Sequence, residues 1–424
     1  MKTLEKNKIP LSLRLNFSWT LIGNIIYAAC QWGLLIMLAK FGSPDMVGIY
    51  SLGLALTAPV FMLTNLQLRS VIATDTEGKH SFNNYLGLRL ICILLAIIII
   101  SIIIFMANYN YQTVAVLLII CLAKGIEATS DVIYGVLQKE ERMDFISKSM
   151  IIKGITSILF MGITLLITQN LIYSVVALAF AWLLVMLLYD IKNVRHLTTI
   201  KPYFEKGSFF ELIRLSLPLG IVMMLLSFNS NVPRYIIDHY LDADSLGYYS
   251  AIAYIVIAGT TVVNALGQSA TPRLSKNFAN RELKEARRLL VKLVIIASLL
   301  GSLGILIAFF FGKQILSLLY NNEYSNYSSE FVLVMVYAFF AYLSSFLGYS
   351  MTAARLFKIQ PLLFIVVTLS NVIFSILLVP VFGMRGAIYG LIIAGVIQFL
   401  GSLLINIFIF RDKRKQSGGQ FNNG

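Results

Sequence analysis

Val114-Ala-Val-Leu-Leu-Ile-Ile-Cys-Leu-Ala-Lys124-Gly-Ile-Glu127-Ala-Thr-Ser-Asp131-Val-Ile-Tyr134-Gly-Val-Leu-Gln138 is long enough to cross a bilayer, yet three ionisable residues interrupt it. Lys124, Glu127, Asp131, Tyr134 and Gln138 follow one another in steps of 3, 4, 3 and 4 residues, which aligns them along one helical face. A spanning helix needs about 20 apolar residues, so Lys124 falls near mid-membrane and Asp131 about 10 Å further toward one end. Ionisable groups are costly there, and they face a bundle interior or a watery cavity and pair with one another. Two readings follow for this face: an ion pair that only ties helices together, or the polar lining of a transport pathway.

The composition settles the surroundings of that helix. Of 424 residues, 58% are hydrophobic and 13% charged, and the mean hydropathy is +0.81. Soluble domains carry about 25% charged residues, so the chain is an all-α integral membrane protein. Cys30, Cys92 and Cys121 lie in apolar segments without pairing or metal spacing, and His80, His196 and His239 are scattered. No disulfide framework, metal site or cofactor motif is indicated. Nor does a nucleophile–base arrangement appear, and an enzyme is the least supported class. The first apolar run continues to about Leu38, too long for a signal peptide, and reads as a retained helix.

Twelve apolar segments can be drawn. The first six are 16–39, 46–72, 84–107, 112–138, 149–168 and 171–189; the second six are 210–233, 245–272, 288–311, 330–351, 360–380 and 386–410. Residues 190–209 are polar and basic and read as the linker between an N-terminal lobe, 1–208, and a C-terminal lobe, 209–415; residues 416–424 read as a disordered tail. With both termini on one side, 28 of the 34 Lys and Arg residues edge that side and four edge the other. By the positive-inside rule both termini are then cytoplasmic and the membrane is the cell's cytoplasmic membrane. The net charge of +14 is thereby explained by an anionic inner leaflet, and no nucleic-acid partner is called for.

The two sets of six repeat one another. Asp45-Met-Val-Gly48-Ile-Tyr50-Ser51 recurs as Asp244-Ser-Leu-Gly247-Tyr-Tyr249-Ser250, an offset of 199 that also places Asn65 on Asn264, Ser70 on Ser269 and Arg89 on Arg288. Ser43 falls on Asp242, and either residue can cap the helix that follows, with Pro44 suited to the first turn. An even number of crossings separates the copies, so the repeats are parallel, related by an axis along the membrane normal. Substrate sites in such folds lie between the halves near the midplane.

The stretch Leu38-Ala-Lys-Phe-Gly-Ser-Pro-Asp-Met-Val-Gly-Ile-Tyr-Ser51, followed by Leu66-Gln-Leu-Arg-Ser-Val-Ile-Ala-Thr-Asp75, resembles the polysaccharide biosynthesis flippases. These are the O-antigen and capsule repeat-unit translocases of the multidrug/oligosaccharidyl-lipid/polysaccharide (MOP) exporter superfamily. The Gly-x-Tyr-Ser opening of the second segment and the basic stretches 138–148 and 355–358 match as well. The resemblance covers essentially the whole chain. It implies a MOP/MATE-like fold and export of an undecaprenyl-pyrophosphate-linked oligosaccharide from the inner to the outer leaflet by alternating access. The partners it implies are that lipid-linked oligosaccharide, membrane lipids, and the polymerase and glycosyltransferases of polysaccharide assembly.

The family's motifs do not mark substrate residues, so the candidates rest on charge. Arg69 and Arg273 lead as ligands for a phosphate headgroup, because guanidinium binds phosphate oxygens bidentately. Lys124 and Lys153 lie deeper, and Arg89, Arg288 and Arg214 edge the same side. Membrane anchoring by snorkelling would account for the arginines equally well. Asn24, Gln31, Asn65 and Asn264 are neutral hydrogen-bonding candidates, for which bonding between helices is the plain alternative. Glu127 and Asp131 are candidates for ion coupling or cavity lining. A cation-coupled multidrug extruder of the same superfamily is the competing function, although the first segment lacks an acidic residue; a non-transporting scaffold for wall-polymer synthesis is another. The topology is open to test with reporter fusions. An alkaline phosphatase fused at residue 169 should be active, and fusions at 141 and 196 inactive; the reverse pattern would invert the orientation.

Overall fold

A computed structural model describes residues 13–75, 80–354, 356 and 359–418. Among them there is no strand, and eleven helices are long and apolar enough to span a membrane, or twelve when one bent pair is counted as a span. In chain order they are α1 (Leu13–Phe41), α2 (Pro44–Thr64), α3 (Phe82–Ala107), α4 (Tyr111–Lys139), α5 (Met143–Thr168) and α6 (Leu171–Val185). The second set is α7 (Lys206–Tyr240), α8 (Ala243–Ala279), α9 (Leu283–Leu319), α10 (Ser328–Ala353), α11 (Ile359–Phe382) and α12 (Met384–Gly418). Large apolar side chains such as Phe105, Ile167, Phe309 and Leu404 point outward with more than half their surface exposed, as lipid-facing residues do. The protein is a multi-pass, all-α membrane protein.

The helix ends follow the expected chemistry. Ser43 caps α2, accepting from the Met46 N–H at 3.3 Å, with Pro44 in the first turn. Asp242 caps α8 in the same way, accepting from the Ser245 N–H at 2.7 Å. The chain forms two compact units, Met1–Ser227 and Phe228–Gly424. In the first, α4 is central: it packs against α2, α3 and α6, while α1 lies along α5 and α5 against α6. In the second, α10 is central: it packs against α8, α9 and α12, and α11 lies against α12. Asn371 on α11 donates to the Asn229 carbonyl of α7 at 3.1 Å, the counterpart of the α1–α5 contact. The packing of the central helix on three neighbours, and of the fifth helix on the sixth, thus recurs six positions later, as the repeat requires.

Three local features differ from the sequence expectation. The second span is not one rod. It breaks after Thr64, where Leu66 and Gln67 both take φ of 50°, and resumes as a short helix at Leu68–Thr74. A left-handed residue with a side chain costs of order 1–3 kcal/mol and tends to mark a functional site. The break turns Leu68–Thr74 onto α4, where Gly135 makes room; a Cβ there would lie 3.1 Å from Ile72 and 3.2 Å from the Arg69 Cα. The sixth span runs past residue 189 through one π turn, Met186–Asp190, to Val194, which draws Asp190 out of the expected linker. The linker itself shortens to 195–205, because it is strapped to the start of α3: Asn83 accepts from the Lys201 N–H at 3.1 Å, and its carbonyl from the Tyr203 N–H at 3.0 Å.

α7 bends by 49° between Leu217 and Gly220, where Pro218 withholds a backbone N–H. Its first turns, with Phe209, Leu212 and Ile213, join the core formed by Leu66, Leu86, Ile133 and Leu137. The two units therefore divide within α7, downstream of 208/209. Residues 416–418 of the expected tail continue α12; 419–424, Lys79, Arg355 and Lys358 lie outside the described residues.

α1 and α5 approach closely through small residues seven apart. A Cβ on Gly23 would come within 2.7 Å of Ser147, and one on Gly154 within 2.9 Å of Cys30. Close packing of this kind supplies the association that hydrophobicity cannot supply in lipid. Gly154→Leu should lower the melting temperature in detergent, at an overpacking cost of about 1–3 kcal/mol, whereas Gly207→Leu, with nothing within 4 Å, should leave it unchanged.

Candidate functional site

The polar face of α4 is the spine of the site, and the first unit surrounds it with partners from every side. Lys124 bridges to Glu127 at 2.7 Å, one turn along the same helix. Glu127 also accepts from the Tyr27 hydroxyl of α1 at 2.8 Å, and the Lys124 ammonium sits 5.4 Å from the Trp182 ring of α6. Both charged side chains keep part of their surface open, 25% for Lys124 and 32% for Glu127. An exposed ammonium over an aromatic face gains about 0.5–1 kcal/mol, more when dry.

Two turns along α4, Asp131 receives two guanidiniums. Arg69 approaches one oxygen at 3.6 Å and Arg89 the other at 3.5 Å. Arg89 is wholly buried and also donates to the side chain of Asn65, at the break in the second span. Arg69 donates to Gln138 at 2.9 Å and lies 5.6 Å from the Tyr134 ring, while 29% of its side chain stays exposed. Two cations share one carboxylate, so the cluster carries one positive charge in excess, and the exposed member is Arg69. Such a group can take an anion without first breaking a complete ion pair.

Lys153 is placed differently. Its ammonium is buried and bonded to Asp190 at 2.9 Å and to the Tyr134 hydroxyl at 3.0 Å, with 3% of its side chain and 1% of that of Asp190 exposed. Ser149 closes the knot by bonding both Tyr134 and Asp190. In this structure Lys153 is an internal counter-ion. Tyr134 joins this knot to the Arg69 cluster, its ring toward Arg69 and its hydroxyl toward Lys153.

The remaining candidates are dispersed. Asn24, Arg214, Arg273 and Arg288 are exposed. Arg214 lines a cavity of about 570 Å³ with Asp75, His80, Tyr85 and Glu211. The Gln31 amide nitrogen is buried and has no hydrogen-bond partner among the described residues. Asn264 accepts from the Tyr349 hydroxyl of α10 at 3.3 Å. No group of three or more His, Cys, Asp or Glu residues that could hold a metal occurs among the described residues.

Sequence reasoning misses Asp190, Ser149 and Trp182, whereas Tyr27 lies on the same face of the first span as Asn24 and Gln31. Asp190 had a usable signal, since it is the first acid to follow Lys153 and a lysine within a span needs a counter-charge. Ser149 and Trp182 make contacts that no spacing rule predicts. The knot makes a sharp prediction. Removing one member of a buried pair costs about 3–5 kcal/mol, whereas replacing both by apolar groups is far milder. Lys153→Met and Asp190→Leu should each lower the melting temperature strongly, and the double variant should recover a large part of the loss.

Comparison with known proteins follows the same line. A family model described as "Polysaccharide biosynthesis protein" matches residues 13–278, and one described as "MatE" matches residues 218–381. The capsular polysaccharide biosynthesis protein CapF of Staphylococcus aureus is 28% identical over 375 residues, covering 88% of this chain and 93% of CapF. Among solved structures, the lipid II flippase MurJ in an inward closed conformation aligns with a TM-score of 0.73 at 17% identity, over 92% of this chain and 89% of MurJ. An inward-facing multidrug resistance MATE family transporter of the MOP superfamily aligns with a TM-score of 0.71 at 14% identity, over 94% and 99% of the two chains.

Proposed function

The chain belongs to the polysaccharide biosynthesis protein family, and from that premise we propose that this MOP-type transporter moves a polyprenyl-pyrophosphate-linked oligosaccharide from the inner to the outer leaflet of the cytoplasmic membrane, by alternating access. The observation that carries the proposal is the excess positive charge at Arg69, next to a carboxylate already shared with Arg89.

A pyrophosphate headgroup brings about two negative charges and must shed water to enter a path of low dielectric. A pair of unit charges about 4 Å apart attracts by roughly 4 kcal/mol at an effective dielectric of 20, enough to offset part of that cost. Arg69 is the first ligand in this scheme. Lys124 follows deeper in, exchanging Glu127 for phosphate as the headgroup passes. Arg89 holds Asp131 and with it the position of Arg69, and Lys153 holds the α4–α5–α6 junction. Arg273 is proposed as the ligand from the second repeat, and Asn24, Gln31, Asn65 and Asn264 as hydrogen-bonding groups along the path. Basic residues are sparse at the opposite ends of the spans, with Lys40, Arg234, Lys313 and Arg385 alone, so binding weakens toward release. In this reading both termini are cytoplasmic, and glycosyltransferases and a polymerase act before and after the transfer.

The MatE match favours a second reading, a cation-coupled extruder in which Glu127 exchanges Lys124 for a proton or sodium ion. Complementation of a strain lacking its repeat-unit flippase separates the two. Arg69→Ala should abolish surface polymer at unchanged protein level, and Arg69→Lys should partly restore it. Full polymer from the Arg69→Ala/Arg273→Ala double variant would overturn the assignment of these arginines, and drug resistance without complementation would favour the extruder.

A further inference from the structure

Where α8 turns into α9, the second unit gathers cations, of which Arg281, Lys284, Arg287 and Arg411 have no part in the proposed transport path. Arg281, at φ of 60°, and Glu282 form the turn, and α9 starts at Leu283. A cavity of about 860 Å³ opens there, rimmed by Arg281, Lys284, Arg287 and Arg411, with Glu282 and Glu285 on the same rim. Four cations against two carboxylates leave the rim positive by two charges.

The helix end adds to the positive charge of this rim. The N-terminus of a helix carries a positive partial charge, and cations in the first turns are disfavoured. Lys284, Arg287 and Arg288 fall in the first two turns of α9, and Glu282 at the cap position makes no side-chain capping bond. An anion set on this rim would meet several guanidiniums together, and guanidinium binds phosphate oxygens bidentately.

The floor says what the anion is attached to. It consists of Leu283, Ile407 and Phe410, the last with its ring 5.7 Å from that of Phe278. Ile407 is 46% exposed, and next to it on α12 the outward-facing Leu404 and Phe408 are 66% and 65% exposed. A cationic rim above an apolar floor, continuous with side chains that face lipid, fits a molecule with a phosphate head and acyl chains. An acidic protein segment would use the rim and leave that floor uncovered.

We propose that the α8–α9 turn and the end of α12 form a binding site for an anionic phospholipid of the surrounding bilayer, with the phosphate on Arg281, Arg287 and Arg411 and an acyl chain along Ile407 and Phe408. The site is independent of the transported substrate and holds the two helices together at the membrane boundary.

The test uses the full chain in detergent and native mass spectrometry, titrating cardiolipin, phosphatidylglycerol and phosphatidylcholine separately. The wild type should bind the two anionic lipids at least about tenfold more tightly than phosphatidylcholine. The variant Arg281→Gln/Arg287→Gln/Arg411→Gln should lose that preference, and the triple Arg→Lys variant should keep most of it. Lys192→Gln/Arg195→Gln/Lys201→Gln, which removes three exposed cations elsewhere, should bind as the wild type does. Full preference in the triple Gln variant, or an equal loss in the Lys192/Arg195/Lys201 variant, would overturn the site. Full surface polymer from the Arg69→Ala/Arg273→Ala variant with the lipid preference intact would overturn the transport assignment and leave this site standing, so the two readings fail separately.

Discussion

Sharing one carboxylate between two guanidiniums is the constraint from which the rest of the first unit follows. Asp131 cannot sit within a span without a cation, and Arg89 supplies it from full burial. Arg89 in turn needs an acceptor, and finds it in Asn65 at the break of the second span. The break is what brings Arg69 to the same carboxylate. Remove Asp131 and both arginines lose their counter-charge, one of them with no access to water. Ion pairs in low dielectric are stable only as complete sets, because the desolvation of each member is recovered only through the others.

The repeat makes the charge distribution more telling. α4 and α10 hold the same central place in their units, yet α4 carries Lys124, Glu127 and Asp131 while α10 carries only Glu330, near its start, bonded to Arg385 at 2.8 Å. Among the described residues, Glu330 is the one buried charged side chain of the second unit, against Arg89, Arg142, Asp144, Lys153 and Asp190 in the first. A common scaffold has therefore been given unequal chemistry. Packing alone would not maintain such a difference, since an ion pair inside a membrane bundle is a poor substitute for apolar contact.

Strain is stored at the same place as charge. Two successive residues with side chains, Leu66 and Gln67, take the left-handed conformation immediately before Arg69. That backbone persists because Leu66 and Leu68 are buried in the unit's core and Gly135 lets the short helix sit against α4. The geometry of Arg69 is thus fixed by packing rather than left to a long flexible side chain. A pre-positioned guanidinium loses less entropy on binding than a free one.

Much of this was legible in the chain itself. The number of spans, their parallel repeat, the capping by Ser43 and Asp242, and the polar face of α4 all follow from local rules: hydropathy over about 20 residues, helical spacing, and which side chains can satisfy a free N–H. The pairing of Lys124 with Glu127 follows too, because three residues apart on a helix are neighbours. What the sequence by itself could not determine are the contacts between elements far apart in the chain. Arg89 and Arg69 converge on Asp131 from two other helices, Lys153 meets Asp190 across 37 residues, and Tyr27 reaches Glu127 across 100. Which basic residues face one another and which face lipid depends on helix rotation and on a backbone break that no propensity rule predicts at Leu66-Gln67. Only the packed unit decided that, because in a medium without water each charge takes whichever partner the surrounding helices bring within reach.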